Sequence, residues 1–176
     1  LSPFKKLIDN GLSSVMVAHL NVPSISKKGL PTSLSIDVIQ GLLKRDLGFK
    51  GLIVTDALNM KGVSEYTKVD NIDLTAFLAG NDLLLISKDI PKGISAIKRA
   101  YLKGKITEER LAHSVKKILR AKYKVGLNQY KPVEIENLYK DLNTVEDERL
   151  YSEALGKAIT LLRNEKALLP LKPESS

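Results

Sequence analysis

The stretch that decides the reading is Gly48-Phe49-Lys50-Gly51-Leu52-Ile53-Val54-Thr55-Asp56-Ala57-Leu58-Asn59-Met60. Leu52-Ile53-Val54 is apolar at consecutive positions, which suits a parallel strand covered on both faces. The run ends on a single acid, Asp56, followed at once by small and amide residues. Parallel α/β proteins place their chemistry at the carboxyl ends of such strands, so Asp56 is the first candidate catalytic residue. A carboxylate held there suits attack on an anomeric carbon, attack on a phosphoryl group, or metal ligation. Phosphoryl-transferring aspartates often come two residues apart, but position 58 is Leu, and no further carboxylate or histidine follows in the loop to build a metal cluster. The structural alternative for Asp56 is a helix N-cap or a plain loop acid.

Two further strand-like runs flank this one, Ser14–His19 and Asp82–Ile86. Helical patterns lie between them. Pro3–Gly11 ends a helix with Phe4, Leu7 and Ile8 on one face, and Ser35 caps a helix carrying Ile36, Ile39, Leu42 and Leu43, closed by Gly48. Asp70 or Asn71 starts a short helix that stops at Gly80. Pro91 suits the first turn of a helix bearing Ile94, Ile97 and Leu102. Thr107 caps the longest candidate, with Leu111, Val115, Ile118 and Leu119 as its apolar face and Gly126 beyond its end. Strands alternating with helices predict a parallel sheet. Residues 128–143 lack a clean period and read as a linker. Thr144 and Asp147 resemble a capping box before a helix through Leu150, Ala154 and Ala158, and Ile159–Asn164 then reads as a strand.

Composition narrows the class. The chain has 176 residues, 43% hydrophobic and 5% aromatic, with no Trp and no Cys. That excludes a disulfide scaffold and a thiolate metal site. The formal charge of +8 comes from lysines spread along amphipathic helices, without a nucleic-acid motif, so no nucleic-acid partner is expected. No apolar run reaches the ~20 residues of a membrane span. The opening Leu1-Ser2-Pro3-Phe4 has neither an initiator Met nor a signal pattern. Three βα units cannot close a barrel of eight strands, which points to a portion of a longer chain.

The segment around Asp56 resembles the nucleophile segment of glycoside hydrolase family three. It matches the β-N-acetylhexosaminidase branch better than the β-glucosidase branch, where a Trp usually follows the Asp; here the residue is Ala57. Val15–His19 with Pro23 and Leu30–Ser35 resembles the preceding barrel strand and its loop. Ala79–Leu85 resembles the last barrel strand, and Ile118–Lys122 through Leu127 the helix that ends the barrel domain. Thr160–Asn164 with Leu169-Pro170-Leu171 is similar to the start of that family's second domain. The implied fold is α/β: the C-terminal part of a (β/α)8 TIM-type barrel over 1–127, a linker over 128–143, and the beginning of an α/β sandwich domain over 144–176.

The implied activity is that of a retaining glycosidase removing terminal β-linked N-acetylglucosamine, with Asp56 forming a covalent glycosyl-enzyme. The alternatives are a β-glucosidase or β-xylosidase of the same family, or a structural fragment inert on its own. In the hexosaminidase branch the acid/base is a His, partnered by an Asp, in a Lys-His-Phe-Pro-Gly-His-Gly-like segment. Nothing here matches it, so the proton donor is expected upstream. His19, at the end of the preceding strand, faces the implied active-site mouth; it binds sugar hydroxyls, orients a neighbour, or is a satisfied internal histidine. Met60 matches a family position near the bound sugar, with core packing as the alternative. Asp82, at the start of its strand, reads as structural, and His113 is assigned nothing. The chemistry requires no metal or cofactor, and the partners are a carbohydrate and the rest of the same polypeptide. The family's two-domain members are commonly exported, so the expectation is periplasmic or secreted, with the cytoplasm as the alternative.

Overall fold

β1 (Ser14–Val17) and β2 (Leu52–Thr55) pair in parallel, Ser14 opposite Leu52 and Val17 opposite Thr55. The connection between them is long enough to cross over through a helix, as parallel strands require. That helix, Asp37–Asp46, is wound as a π-helix, with i→i+5 bonds such as Leu47 N–H to Leu42 O at 2.9 Å. The wider winding changes the expected face. Val38, Ile39 and Leu43 are buried, whereas Ile36 is exposed. Gly48, at φ +71°, ends the helix in the left-handed region and turns Phe49 inward. Val17, Ile39, Leu43, Phe49, Ile53 and Ala79 form one core between this helix and the sheet.

The computed structural model describes residues 1–66, 68–164 and 169, and the chain divides into two compact units, Leu1–Tyr130 and Lys131–Ser176. In the first unit, α1 (Ser2–Asp9) precedes β1, and a 3-10 turn, Thr32–Leu34, precedes the π-helix. After β2 come α2 (Lys61–Ser64), α3 (Ile72–Ala79), α4 (Ile90–Leu102) and α5 (Glu108–Lys124). Asn71 and Thr107 cap as expected, Asp89 is a cap that the sequence reading did not name, and the π-helix has Ile36 in place of Ser35 as its N-cap. Asn71 accepts from Leu74 N–H, Asp89 from Lys92 N–H and Thr107 from Arg110 N–H.

The expected third strand is reduced. Asp82–Ile86 meets β2 through one parallel bridge, Val54 to Leu83. Main-chain bonds join Thr55 N–H to Leu83 O (3.0 Å) and Leu83 N–H to Ile53 O (3.1 Å). Side chains replace the rest of the ladder: Asp82 Oδ2 accepts Ile53 N–H at 3.0 Å, and Thr55 Oγ1 accepts Leu85 N–H at 2.9 Å. Ile86 then leaves extended geometry at φ +42°.

Two apolar faces also differ from expectation. α4 buries Gly93 and Ala100 and leaves Ile94 and Leu102 exposed, because small residues let it lie close against α3. Gly93 approaches Asp73 so closely that a Cβ there would sit 2.8 Å from Asp73 Cγ. α5 buries Ser114 and exposes Val115 and Leu119, since its inward seam is polar.

In the second unit, α6 (Leu138–Leu142) occupies part of the segment read as a linker, and α7 (Val145–Ala158) starts on the Thr144/Asp147 capping box. Ile159–Asn164 forms no strand; no paired neighbour supplies its ladder among the described residues. Asn164 instead exchanges two side-chain bonds with the Leu169 backbone. Residues 170–171 of the sequence reading lie outside the described residues.

Gly51 immediately precedes β2, and a side chain does not fit there. A Cβ would collide with the Ser13 carbonyl and lie 2.5 Å from Phe49 Cζ. The same carbonyl accepts Leu52 N–H at 3.0 Å, so it cannot retreat without breaking the first β1–β2 bond. Gly51→Ala is expected to lower stability by about 1–3 kcal/mol, read as a shift in urea midpoint. An unchanged midpoint would show that the strand starts elsewhere.

Candidate active site

Along β2 the side chains alternate. Ile53 and Thr55 are fully buried toward the helices, while Leu52 and Val54 are half-buried on the opposite face. Asp56 follows with the parity of Leu52 and Val54, so it continues the face turned away from the helical layer. Its backbone N–H donates to Val17 O at 3.0 Å, extending the β1–β2 ladder by one bond. Its Oδ1 accepts the N–H of Ala57 at 2.7 Å. Oδ2 carries no hydrogen bond among the described residues.

The loop after Asp56 is tied down on several sides. Leu58, itself buried, donates its N–H to Leu85 O at 2.9 Å. The Ala57 carbonyl accepts from Met60 N–H at 3.1 Å and from His19 Nε2 at 3.0 Å. His19 Nδ1 lies 2.7 Å from the hydroxyl of Ser33. Both ring nitrogens are thus engaged within the protein. The 3-10 turn that carries Ser33 is fixed to the β1 exit: Thr32 Oγ1 donates to Ala18 O and accepts from Leu20 N–H. Asn81 Nδ2 donates to Ser33 O at 2.9 Å.

Met60 is 48% exposed beside this loop. His19, Asn21, Lys61, Glu65 and Tyr66 border a hollow of about 210 Å³. No group of three or more His, Cys, Asp or Glu able to hold a metal ion occurs among the described residues. No helix among them is long and apolar enough to cross a membrane.

Asp82 belongs to the opposite end of its segment and does structural work. It accepts hydrogen bonds from Lys117 Nζ (2.5 Å), Ser114 Oγ (2.6 Å) and Ile53 N–H (3.0 Å). Burial alone would push its carboxyl up, but the bonds from Lys117, Ser114 and Ile53 outweigh burial and hold it below the usual carboxylate range. Arg110 completes the clamp, donating to Phe77 O and Asn81 O and stacking 4.2 Å from the centre of the Phe77 ring. His113 is exposed on α5, and partial desolvation followed by the charge of Lys117 lowers its pKa. Sequence reasoning missed Ser33 and the α5 seam; the only signal was polar residues at i, i+4 and i+7 on a helix expected to be apolar there.

A parallel α/β domain with a carboxylate at a strand's carboxyl end falls in the class of domains consistent with the TIM-barrel type. Residues 1–121 match the glycosyl hydrolase family 3 N terminal domain, and the chain belongs to that family. It is 27% identical over 97% of its length to the Beta-N-acetylglucosaminidase/beta-glucosidase of Cellulomonas fimi, of which it spans 32%. It is 29% identical over 97% of its length to the Beta-xylosidase of Formosa agariphila, of which it spans 24%. Among solved structures it is similar to a glycoside hydrolase family 3 beta-N-acetylglucosaminidase from Paenibacillus sp. str. FPU-7. That match has 35% identity and a TM-score of 0.80, covering 94% of this chain and 32% of that one. The chain therefore spans about a third or less of the length of these relatives.

Proposed function

We propose that these residues are the C-terminal part of a (β/α)8 barrel and the beginning of an α/β sandwich domain in a retaining β-N-acetylglucosaminidase. The observation that carries the reading is Asp56. It stands at the carboxyl end of β2, on the face away from the helices, with Oδ1 held by Ala57 N–H and Oδ2 free of hydrogen bonds among the described residues. In the reaction, Oδ2 donates an electron pair to the anomeric carbon as the glycosidic C–O bond breaks. The leaving oxygen takes its proton from an acid outside this chain. Water then attacks the same carbon, the Asp56–carbon bond breaks, and the configuration is retained overall. The carboxylate also stabilises the oxocarbenium-like charge before the bond forms. Met60 offers an apolar contact to the ring or acetyl group.

The second reading is a β-glucosidase, favoured by the double name of the Cellulomonas fimi relative. Side-by-side hydrolysis of aryl β-N-acetylglucosaminide and aryl β-glucoside by the full-length polypeptide separates the two. The expected result is the higher kcat/KM on the N-acetyl sugar; the reverse order gives the enzyme to the glucosidase branch. Residues 1–176 alone, lacking the proton donor, are expected to cleave at most an activated aryl glycoside, slowly. Fast turnover of natural chitobiose by them would overturn that expectation.

A further inference from the structure

We infer that His19 is a positioning residue for Asp56: with Ser33 it clamps the peptide that follows the nucleophile. The inference rests on the proposed role of Asp56. The Ala57 carbonyl can only accept, so His19 Nε2 must be the donor across the 3.0 Å contact. In the neutral ring Nδ1 is then an acceptor, and the Ser33 hydroxyl donates to it across 2.7 Å. Ser33 is fully buried and its carbonyl is held by Asn81, so the ring is held on its Nδ1 side by a rigid partner. The same Ala57–Leu58 peptide is held on its N–H side by Leu85 O. Its plane is therefore gripped from both edges, by β1 through His19 and by the Leu83–Leu85 segment.

What this does for Asp56 follows from one further bond. Asp56 Oδ1 takes its direction from Ala57 N–H at 2.7 Å, one peptide away from the clamp. If the Ala57–Leu58 peptide rotates, the Ala57 backbone turns and Oδ1 loses its donor or follows it, so Oδ2 is re-aimed. A misplacement of about 1 Å at a reacting atom can cost on the order of 10²-fold in rate. A group that acts this way lowers kcat and leaves ground-state binding nearly intact.

The test uses the full-length polypeptide with an aryl β-N-acetylglucosaminide. His19→Ala is expected to lower kcat on the order of 10²-fold with KM within about twofold. His19→Gln, which keeps an N–H at similar reach, should recover most of the loss. Ser33→Ala should fall between them, and the double variant should be no worse than His19→Ala alone. The decisive comparison is made in an Asp56→Gly background rescued by sodium azide, where azide attacks the anomeric carbon and the aryloxide leaves. With no carboxylate left to aim, adding His19→Ala should leave the rescued rate unchanged. An equal loss there, or a raised KM with kcat intact, overturns the inference and makes His19 a sugar contact. Hydrogen exchange over residues 56–60 reads the clamp without substrate: it should quicken in His19→Ala and Ser33→Ala, and unchanged exchange overturns the clamp. If Asp56→Asn keeps full activity, the nucleophile assignment fails instead, and exchange still decides whether the clamp exists.

Discussion

Asp56→Asn in the full-length polypeptide is expected to lower kcat on aryl β-N-acetylglucosaminides by at least about a thousandfold, equivalent to roughly 4 kcal/mol of barrier. The change removes the negative charge and the nucleophilic oxygen while keeping the size of the side chain. The amide oxygen can still accept Ala57 N–H, so the bond that orients the side chain survives, and the fold has no reason to move. The loss should fall on kcat, because covalent attack is made only in the transition state. Asp56→Gly sharpens the test. Azide should restore turnover of the aryl substrate, and a β-glycoside should give the α-glycosyl azide, since one displacement inverts what two would retain. A variant that keeps wild-type kcat, or a β-configured azide product, would remove Asp56 from the nucleophile's role.

The parts of this chain that were legible in sequence are those in which one local rule dominates. Asn71, Thr107 and Thr144 cap helices as short polar side chains before periodic apolar runs do, and the structure uses all three. Leu52–Val54 announced a parallel strand, and Asp56 was found because it follows that run without a break. The failures arise where a contact distant in sequence overrides the local pattern. Asp82–Ile86 has the composition of a strand, but Asp82 and Thr55 take over ladder bonds that only a folded neighbour reveals. Val115 and Leu119 fit a helical stripe, but the inward seam of α5 is Arg110, Ser114 and Lys117, whose need to face a buried carboxylate overrides apolar periodicity. The partners of His19 are Ser33 and Ala57, which lie 14 and 38 residues away and are joined to it only by the fold.

Asp82 carries the second large effect. Its side chain is fully buried and that of Lys117 is only 12% exposed, so removing one partner leaves a charge without compensation in a poorly solvated place. Asp82→Leu is expected to cost about 3–5 kcal/mol, the range for breaking a buried pair, because it also leaves the Ser114 O–H and the buried Ile53 N–H without an acceptor. Asp82→Asn keeps an oxygen for Ile53 N–H and should lose less, which urea midpoints of the two variants would rank. The pH dependence has a definite sign. The folded-state pKa is depressed, so the unfolded chain binds the proton more tightly than the native one, and native stability rises with pH in this window. The contribution is fully present above the ordinary carboxylate value near 4 and disappears as pH falls through the lower, folded value. Wild type should therefore lose stability steeply below about pH 4, while Asp82→Asn should be flatter over the same range. Parallel acid limbs for the two proteins would mean that the clamp between β2, the Leu83 segment and α5 does not depend on this charge. The strand that leads to Asp56 would then be held by its main-chain bonds to β1 and the Leu83 segment and by apolar packing.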